Sequence, residues 1–336
     1  MSTTARRPNQ ADIASRLGVS VSTVSRALAN EDGISEVVRR DVQRMARSLG
    51  YRSKRMPGLR ATDRRVVALV PFANATGGLS GFYVDILNAI RSEASVCGLD
   101  LDIRLISERK VTLELVARHV QAAGASAVLL AGIDASDELA SWCRENEIHA
   151  VLVNGCDPLM RISSVAPSNF YGAYMATRHL LSAGHRKILH YTHGHRPTIL
   201  ERRRGFVTAM AEVTGEEAAL VMSDDRKPME LLQDISEGKQ DVTALFCWND
   251  IAAVEIIEGI QGGVGQVARD FSIMGFDDLP LAAMTAPRLS TIHVDRDAIG
   301  RGAIRLLSDQ IEGETAVRQL EIGVSLVPGG TVHARA

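Results

Sequence analysis

Ala11-Asp-Ile-Ala-Ser-Arg-Leu-Gly-Val-Ser-Val-Ser-Thr-Val-Ser-Arg-Ala-Leu28 sets the architecture of the amino terminus. Ile13, Ala14 and Leu17 fall on one face of a short helix over Gln10–Leu17, and Gly18 ends it. After Val19, Ser20 is a good N-cap for a second helix over Val21–Ala29, whose Val24 and Leu28 sit four apart and face inward. Two helices joined by a Gly-centred turn of about three residues form a helix-turn-helix, whose second helix enters a major groove. A third helix follows Ser35: Val38, Val42, Met45 and Leu49 repeat at helical spacing before Gly50. With Val24 and Leu28 packed inward, Val21 and Ser22 are left to meet base edges. Arg26, one turn on, has the fork that donates two hydrogen bonds to a guanine. Ser20, Thr23 and Ser25 suit phosphate oxygens, which position a module without specifying sequence.

Charge agrees. Residues 1–65 hold 14 Lys/Arg and six Asp/Glu, a balance of +8, whereas the remainder carries −10, so the net −2 conceals a basic head on an acidic body. At roughly 150 residues per folding unit, 336 residues predict two or three units. With 46% apolar and 23% charged residues they can bury ordinary cores. No apolar run approaches the roughly 18 residues of a membrane helix, and the first ten residues have no hydrophobic segment, so a cytoplasmic chain is expected. Cys97, Cys143, Cys156 and Cys247 form no Cys-x-x-Cys pair and read as reduced thiols.

The stretch from Ala11 to Leu28, continuing through Ile34-Ser35 to Leu49-Gly50-Tyr51, resembles the DNA-binding head of the lactose-repressor (LacI/GalR-type) family of bacterial transcription regulators. By that resemblance Val21, Ser22 and Arg26 occupy base-reading positions. In the family, the following segment becomes a hinge helix on the operator and a leucine wedges into the minor groove; Leu59 is the candidate here. The linker departs from the pattern at Pro57-Gly58, which can open a helix but disfavours its continuation.

From Arg65 onward strand-like and helix-like segments alternate. Strands are expected at Val66–Val70, Asp100–Ile106, Ala127–Ala131, Ala150–Val153, Lys187–Tyr191, Ala218–Met222, Ala244–Cys247 and Phe271–Met274. Helices are expected at Phe82–Val96, Thr112–Ala123, Ala173–Ser182, Arg203–Glu212 and Ala252–Ile260. Short strands that are apolar throughout belong to parallel sheets covered on both faces. Ile162–Ser168 reads as a crossover, and the strands are too many for one modest sheet, so two doubly wound α/β lobes with a cleft between them are expected. The resemblance extends here through Leu181–Ile188, Glu201–Phe206, Thr243–Asp250, Ser272–Asp278 and Pro287–Ile292, and implies a core similar to periplasmic sugar-binding proteins. The expected division is a head over 1–51, a hinge over 52–64 and a core over 65–336. Within the core, lobe 1 takes 65–163 and 294–316, and lobe 2 takes 164–293 and 317–336.

Ligands in such folds lie beyond the carboxyl ends of strands. Trp248-Asn249-Asp250 follows one expected strand, Asp277-Asp278 another, and Arg202 is placed at the opening of a helix. Arg202, Asn249 and Asp277 match the family's effector-contacting positions and suit a hydroxyl-rich or anionic metabolite; a plain ion pair is the other reading of Arg202 and Asp277. Trp248 either stacks on a sugar face or packs beneath the cleft. Phe72 follows the first strand and is placed on the pocket wall. His193 or His195 is placed to hydrogen-bond the effector; together with His190 they lack the Cys or carboxylate partner of a metal site.

Enzyme signatures fail. Thr76–Gly81 is not G-x-G-x-x-G, Gly262–Gly265 stands between a helix and a strand in the reverse of dinucleotide order, and Gly78–Phe82 lacks the second glycine of a nucleophile elbow. A transport-type binder would not carry a basic helix-turn-helix. The expectation is a non-enzymatic transcriptional regulator that acts as a repressor, with no cofactor, no metal and no membrane partner. It binds palindromic operator DNA as a homodimer and answers to a sugar-like effector.

Overall fold

Asn9 shows how closely the head follows its local chemistry. Its Oδ1 accepts from the Asp12 amide at 3.1 Å while Asp12 Oδ2 accepts from the Asn9 amide at 2.7 Å, a capping box that opens α1, Gln10–Leu17. Gly18, at φ 63°, takes the left-handed turn. Ser20 Oγ accepts from the Thr23 amide at 2.9 Å and opens α2, Val21–Leu28. Ser35 Oγ accepts from the Val38 amide at the start of α3, Glu36–Ser48. Ile13, Ala14, Val24, Ala27, Val42 and Ala46 are buried where the three helices meet.

The structure is a computed structural model, and it describes residues 9–28, 33–49, 51, 64–72, 81–107, 111–192, 196–214, 220–223, 227–239, 241–264 and 271–335. Residues 52–63 of the linker, with Leu59, lie outside the described residues, as do His193 and His195.

The body holds two parallel sheets. The first takes β1 (Arg65–Pro71), β2 (Asp100–Ile106), β3 (Ala127–Ala131), β4 (His149–Val153), β5 (Ser163–Pro167) and β11 (Gln319–Ile322) in the order β11-β5-β4-β3-β1-β2. Its connecting helices are α4 (Phe82–Cys97), α5 (Leu113–Ala123) and α6 (Asp137–Glu145). Val66, Val67, Ala68, Leu69 and Val70 and all of β3 are buried, the signature of strands covered on both faces. The second sheet takes β6 (Ile188–Thr192), β7 (Leu220–Ser223), β8 (Ala244–Cys247) and β9 (Ser272–Met274) in the order β7-β6-β8-β9. It is covered by α7 (Asn169–Ser182) and α8 (Pro197–Thr214) on one face and by α9 (Pro228–Ser236) and α10 (Asp250–Gly259) on the other. A short α11 (Pro280–Met284) follows β9. Then β10 (Thr291–Val294) pairs antiparallel with β12 (Val324–Val327), while α12 (Arg296–Ile311) packs on α4 of the first lobe.

Two expectations shift. Ile162–Ser168 is not simply a crossover, because Ser163–Pro167 is a fully buried strand paired with β4, and the chain leaves the first sheet after it. Likewise β11 pairs with β5, so the sheet membership of 164–167 and 319–322 lies with the first lobe rather than the second. Two serines at the head of β5 disguise a buried strand; Ser163 Oγ accepts from the Arg318 amide at 3.1 Å, which satisfies the polar atom in place. Three connections therefore join the lobes, at 167–169, 294–296 and 322–324.

Both sheets reverse strand order beside their first strand, between β1 and β3 and between β6 and β8. Such switch points open a crevice at the carboxyl ends of strands.

Candidate functional site

On α2, Val24 and Ala27 are buried while Val21 is 47% exposed, and Ser20, Ser22, Ser25 and Arg26 are exposed beside it. An exposed valine on a short surface helix is the opposite of what packing favours. Ser20 Oγ and Thr23 Oγ1 lie 2.8 Å apart at its amino end, where the unpaired amides and helix dipole favour an anion such as phosphate. All the described residues expected to face DNA thus share this helix and its cap.

In the body, the residues after β6, β8 and β9 converge. Arg202 lies in the second turn of α8, not at its start, because the helix begins at Pro197. It is 4% exposed. Its Nε donates to Asn169 Oδ1 at 2.8 Å, Nη1 donates to the Trp248 carbonyl, and Nη2 donates to Asp277 Oδ1 at 3.3 Å. Its guanidinium rests 3.7 Å above the Phe276 ring. The pair lies within the second lobe. Burial pushes the Asp277 carboxyl up to about 6, against the pull of Arg202 and Arg296. Asp277 and Asp278 both have positive φ (109° and 50°), held there by the Asp277 amide bonding to Ile292 and by Arg296 Nη1 donating to the Asp277 carbonyl at 2.7 Å.

Asn249 is buried, with Oδ1 capping α10 by accepting from the Ala252 amide at 2.8 Å. Trp248 packs its half-buried side chain against the second lobe's core. Phe72 does follow β1 but is 52% exposed. Phe82 and Tyr83, in the first turn of α4, are both buried, and Tyr83 is the one whose hydroxyl reaches Asn154.

Four residues that sequence reasoning missed complete the crevice: Tyr83, Asp134, Asn154 and Arg196. Arg196 precedes α8 in the second lobe and grips the first: Nε and Nη2 donate to Asp134 Oδ2 and Oδ1, each at 2.9 Å, and Nη2 also donates to the Asn154 carbonyl at 3.0 Å. Asn154 Nδ2 donates to Tyr83 Oη at 3.0 Å. Asp134 and Asn154 follow β3 and β4, so the strand-end rule, applied to both lobes, points to them. Asp250 is a further buried acid, its carboxyl raised well above the usual range by burial and by neighbouring Asp277; it accepts from the Leu279 amide at 2.7 Å and from Thr291.

Comparison with known proteins places these features. The profile described as "Bacterial regulatory proteins, lacI family" matches residues 11–54, and that of "Periplasmic binding protein-like domain" matches residues 177–332. The "HTH-type transcriptional regulator GntR" of Pseudomonas aeruginosa is 28% identical over 336 residues, covering 96% of this chain and 95% of the relative. Among solved structures, a transcriptional regulator CelR–cellobiose complex superposes with a TM-score of 0.70 at 23% identity, covering 97% of this chain and all of the other. The lac repressor dimer bound to operator and the anti-inducer ONPF does so at 0.69 and 22%, covering 98% and 100%.

Proposed function

The chain belongs to the lacI family of bacterial regulatory proteins, and on that premise we propose that it is an operator-specific repressor that pairs two heads on a palindromic duplex. A small sugar-like metabolite held between the two lobes sets its affinity for that duplex. The observation that carries the reading is the amphipathic split of α2: Val24 and Ala27 lock the helix to its core, leaving Val21, Ser22 and Arg26 to a groove and Ser20, Thr23 and Ser25 to phosphates. Leu59 is assigned to the minor groove by its resemblance to the linker leucine of the family.

For the effector, the two switch-point crevices face each other across Arg196. Arg202, Asn249 and Asp277 offer donors, an amide and a carboxyl from one lobe, with Trp248 and Phe72 as flanking rings; His193, next in sequence after Thr192, is assigned to the effector as well. Tyr83, Asp134 and Asn154 belong to the opposite wall. Relatives solved with operator and with cellobiose support both halves of the reading. Bound between lobes, a metabolite shifts operator affinity only as far as it prefers one lobe arrangement, and a tenfold effect needs about 1.4 kcal/mol.

Selection of duplexes from a random pool tests it. The full chain is expected to enrich a palindrome, and Arg26→Ala to lower discrimination at one base pair per half-site by roughly 1–3 kcal/mol. A wild-type chain that enriches no palindrome would end the proposal.

A further inference from the structure

Apart from guanidinium nitrogens, the described residues hold three buried side-chain polar atoms with no hydrogen-bond partner: Asn154 Oδ1, His190 Nε2 and Thr192 Oγ1. Their residues are 9%, 0% and 2% exposed. An orphaned buried polar atom costs roughly 1–3 kcal/mol, so three in one region need a reason. They share a place in the fold. Thr192 is the last residue of β6, His190 lies one pleat below on the same face, and Asn154 follows β4 across the crevice. Arg196, four residues after Thr192, reaches over to the Asn154 carbonyl.

Two of the three atoms can only accept. His190 Nδ1 lies 2.9 Å from the Phe246 carbonyl, which cannot donate, so Nδ1 carries the proton and Nε2 is a bare lone pair. The ring is neutral, its pKa pushed down to about 4 by burial, and it stacks 4.6 Å from Phe246 and 5.1 Å from Phe206 on α8, the helix bearing Arg202. Asn154 already donates through Nδ2 to Tyr83, leaving Oδ1. Meanwhile both arginines of the crevice face carboxylates of the chain itself, Arg196 with Asp134 and Arg202 with Asp277. A ligand entering here meets unfilled acceptors and cations that are already paired.

We infer that Thr192, with Asn154 opposite and His190 beneath, forms an acceptor-rich wall that selects a neutral, polyhydroxylated effector and rejects its carboxylate counterpart. This rests on the reading of the cleft as the effector site and narrows it. Hydroxyl groups satisfy the orphaned acceptors, whereas a carboxylate brings only more lone pairs toward Asp134 and Asp277.

The test uses the full chain with D-ribose, D-glucose and cellobiose, each beside its aldonic acid, followed by thermal shift and calorimetry. At least one neutral sugar is expected to bind, and its acid to bind at least tenfold more weakly. Thr192→Val, nearly isosteric, is expected to keep or raise the melting temperature of the ligand-free protein, because it removes an orphan, and to weaken sugar binding roughly tenfold; Thr192→Ser keeps the affinity. A lowered ligand-free melting temperature, which marks a hydroxyl satisfied by a structural water only, overturns the inference. So does unchanged sugar affinity in Thr192→Val, acids that bind as well as sugars, or a panel in which no neutral sugar binds. Operator binding measured on the same samples separates these outcomes from failure of the repressor reading, which would show as loss of operator selectivity in the unaltered chain.

Discussion

At the scale of single residues, the second lobe is organised around groups whose ionisation is set by burial. His190 stays neutral, with a folded pKa of about 4 against about 6.5 for an unfolded imidazole. Between those values the unfolded chain binds more protons, so this contribution to stability is complete above pH 6.5 and is lost as pH falls toward 4. Asp277 acts in the opposite sense. Its folded pKa of about 6 exceeds the unfolded value, so stability from this group falls as pH rises through roughly 4 to 6. His190→Leu is therefore expected to flatten the fall of melting temperature between pH 6.5 and 4, removing up to about 1.4 kcal/mol per pH unit where that dependence is steepest. An unaltered acid limb in the variant would show that His190 already titrates normally in the fold. In the sequence His190 is one of three nearby histidines; that it sits under two aromatic rings, with one nitrogen unanswered, emerges only when β6, β8 and α8 are packed together.

Among elements, α1 to α3 and most of the strands were legible because their signals are local: Ser20 and Ser35 at helix starts, Gly18 as a stop, and uniformly apolar runs at β1, β3 and β8. Elements with mixed faces were not. α6, α9 and α12 carry polar and apolar residues in proportions that a surface loop also shows, and β5 begins with serines. The α7–α8 pair depends on one close approach that no periodicity reveals. A Cβ at Gly205 would lie 2.2 Å from the Phe170 carbonyl oxygen, so the helices meet backbone to backbone beneath Arg202. Gly205→Ala is expected to force them apart and to destabilise the chain by roughly 1–3 kcal/mol or more, measured by denaturant unfolding. Gly275 has the same role for Asp250, whose Oδ1 would be 2.2 Å from an added Cβ.

For the whole molecule, the decisive contacts run between lobes. Arg196 on the second lobe holds Asp134 and Asn154 on the first, and Arg296 links Asp85 of α4 at 2.9 Å to the Asp277 carbonyl at 2.7 Å. A pair such as Arg196–Asp134, about 30% exposed on each side, contributes modestly to stability, and because it spans the two lobes it favours the arrangement in which it forms. Asp134→Asn is expected to leave the fold intact and to enlarge the radius of gyration of the ligand-free protein in small-angle scattering. An identical scattering curve would mean that the other connections alone hold the cleft. Three chain crossings make such movement hinge-like, and the last of them, at 322–324, follows from β11 joining β5, a pairing of residues more than 150 apart in the chain.

The amino-acid order by itself determined the head, the basic-to-acidic division of charge, the parallel character of the body and the position of Asn249 and Asp277 just beyond strand ends. All of these rest on caps, glycines, periodicity and motifs within a few residues of one another. Only the tertiary structure decided which lobe owns 163–167 and 319–322, that Tyr83, Asp134 and Asn154 form the opposite wall with Arg196 reaching across to it, and which buried atoms go unanswered there. Those facts depend on distances between segments far apart along the chain. Local pattern says what a residue prefers, and packing alone says what it meets.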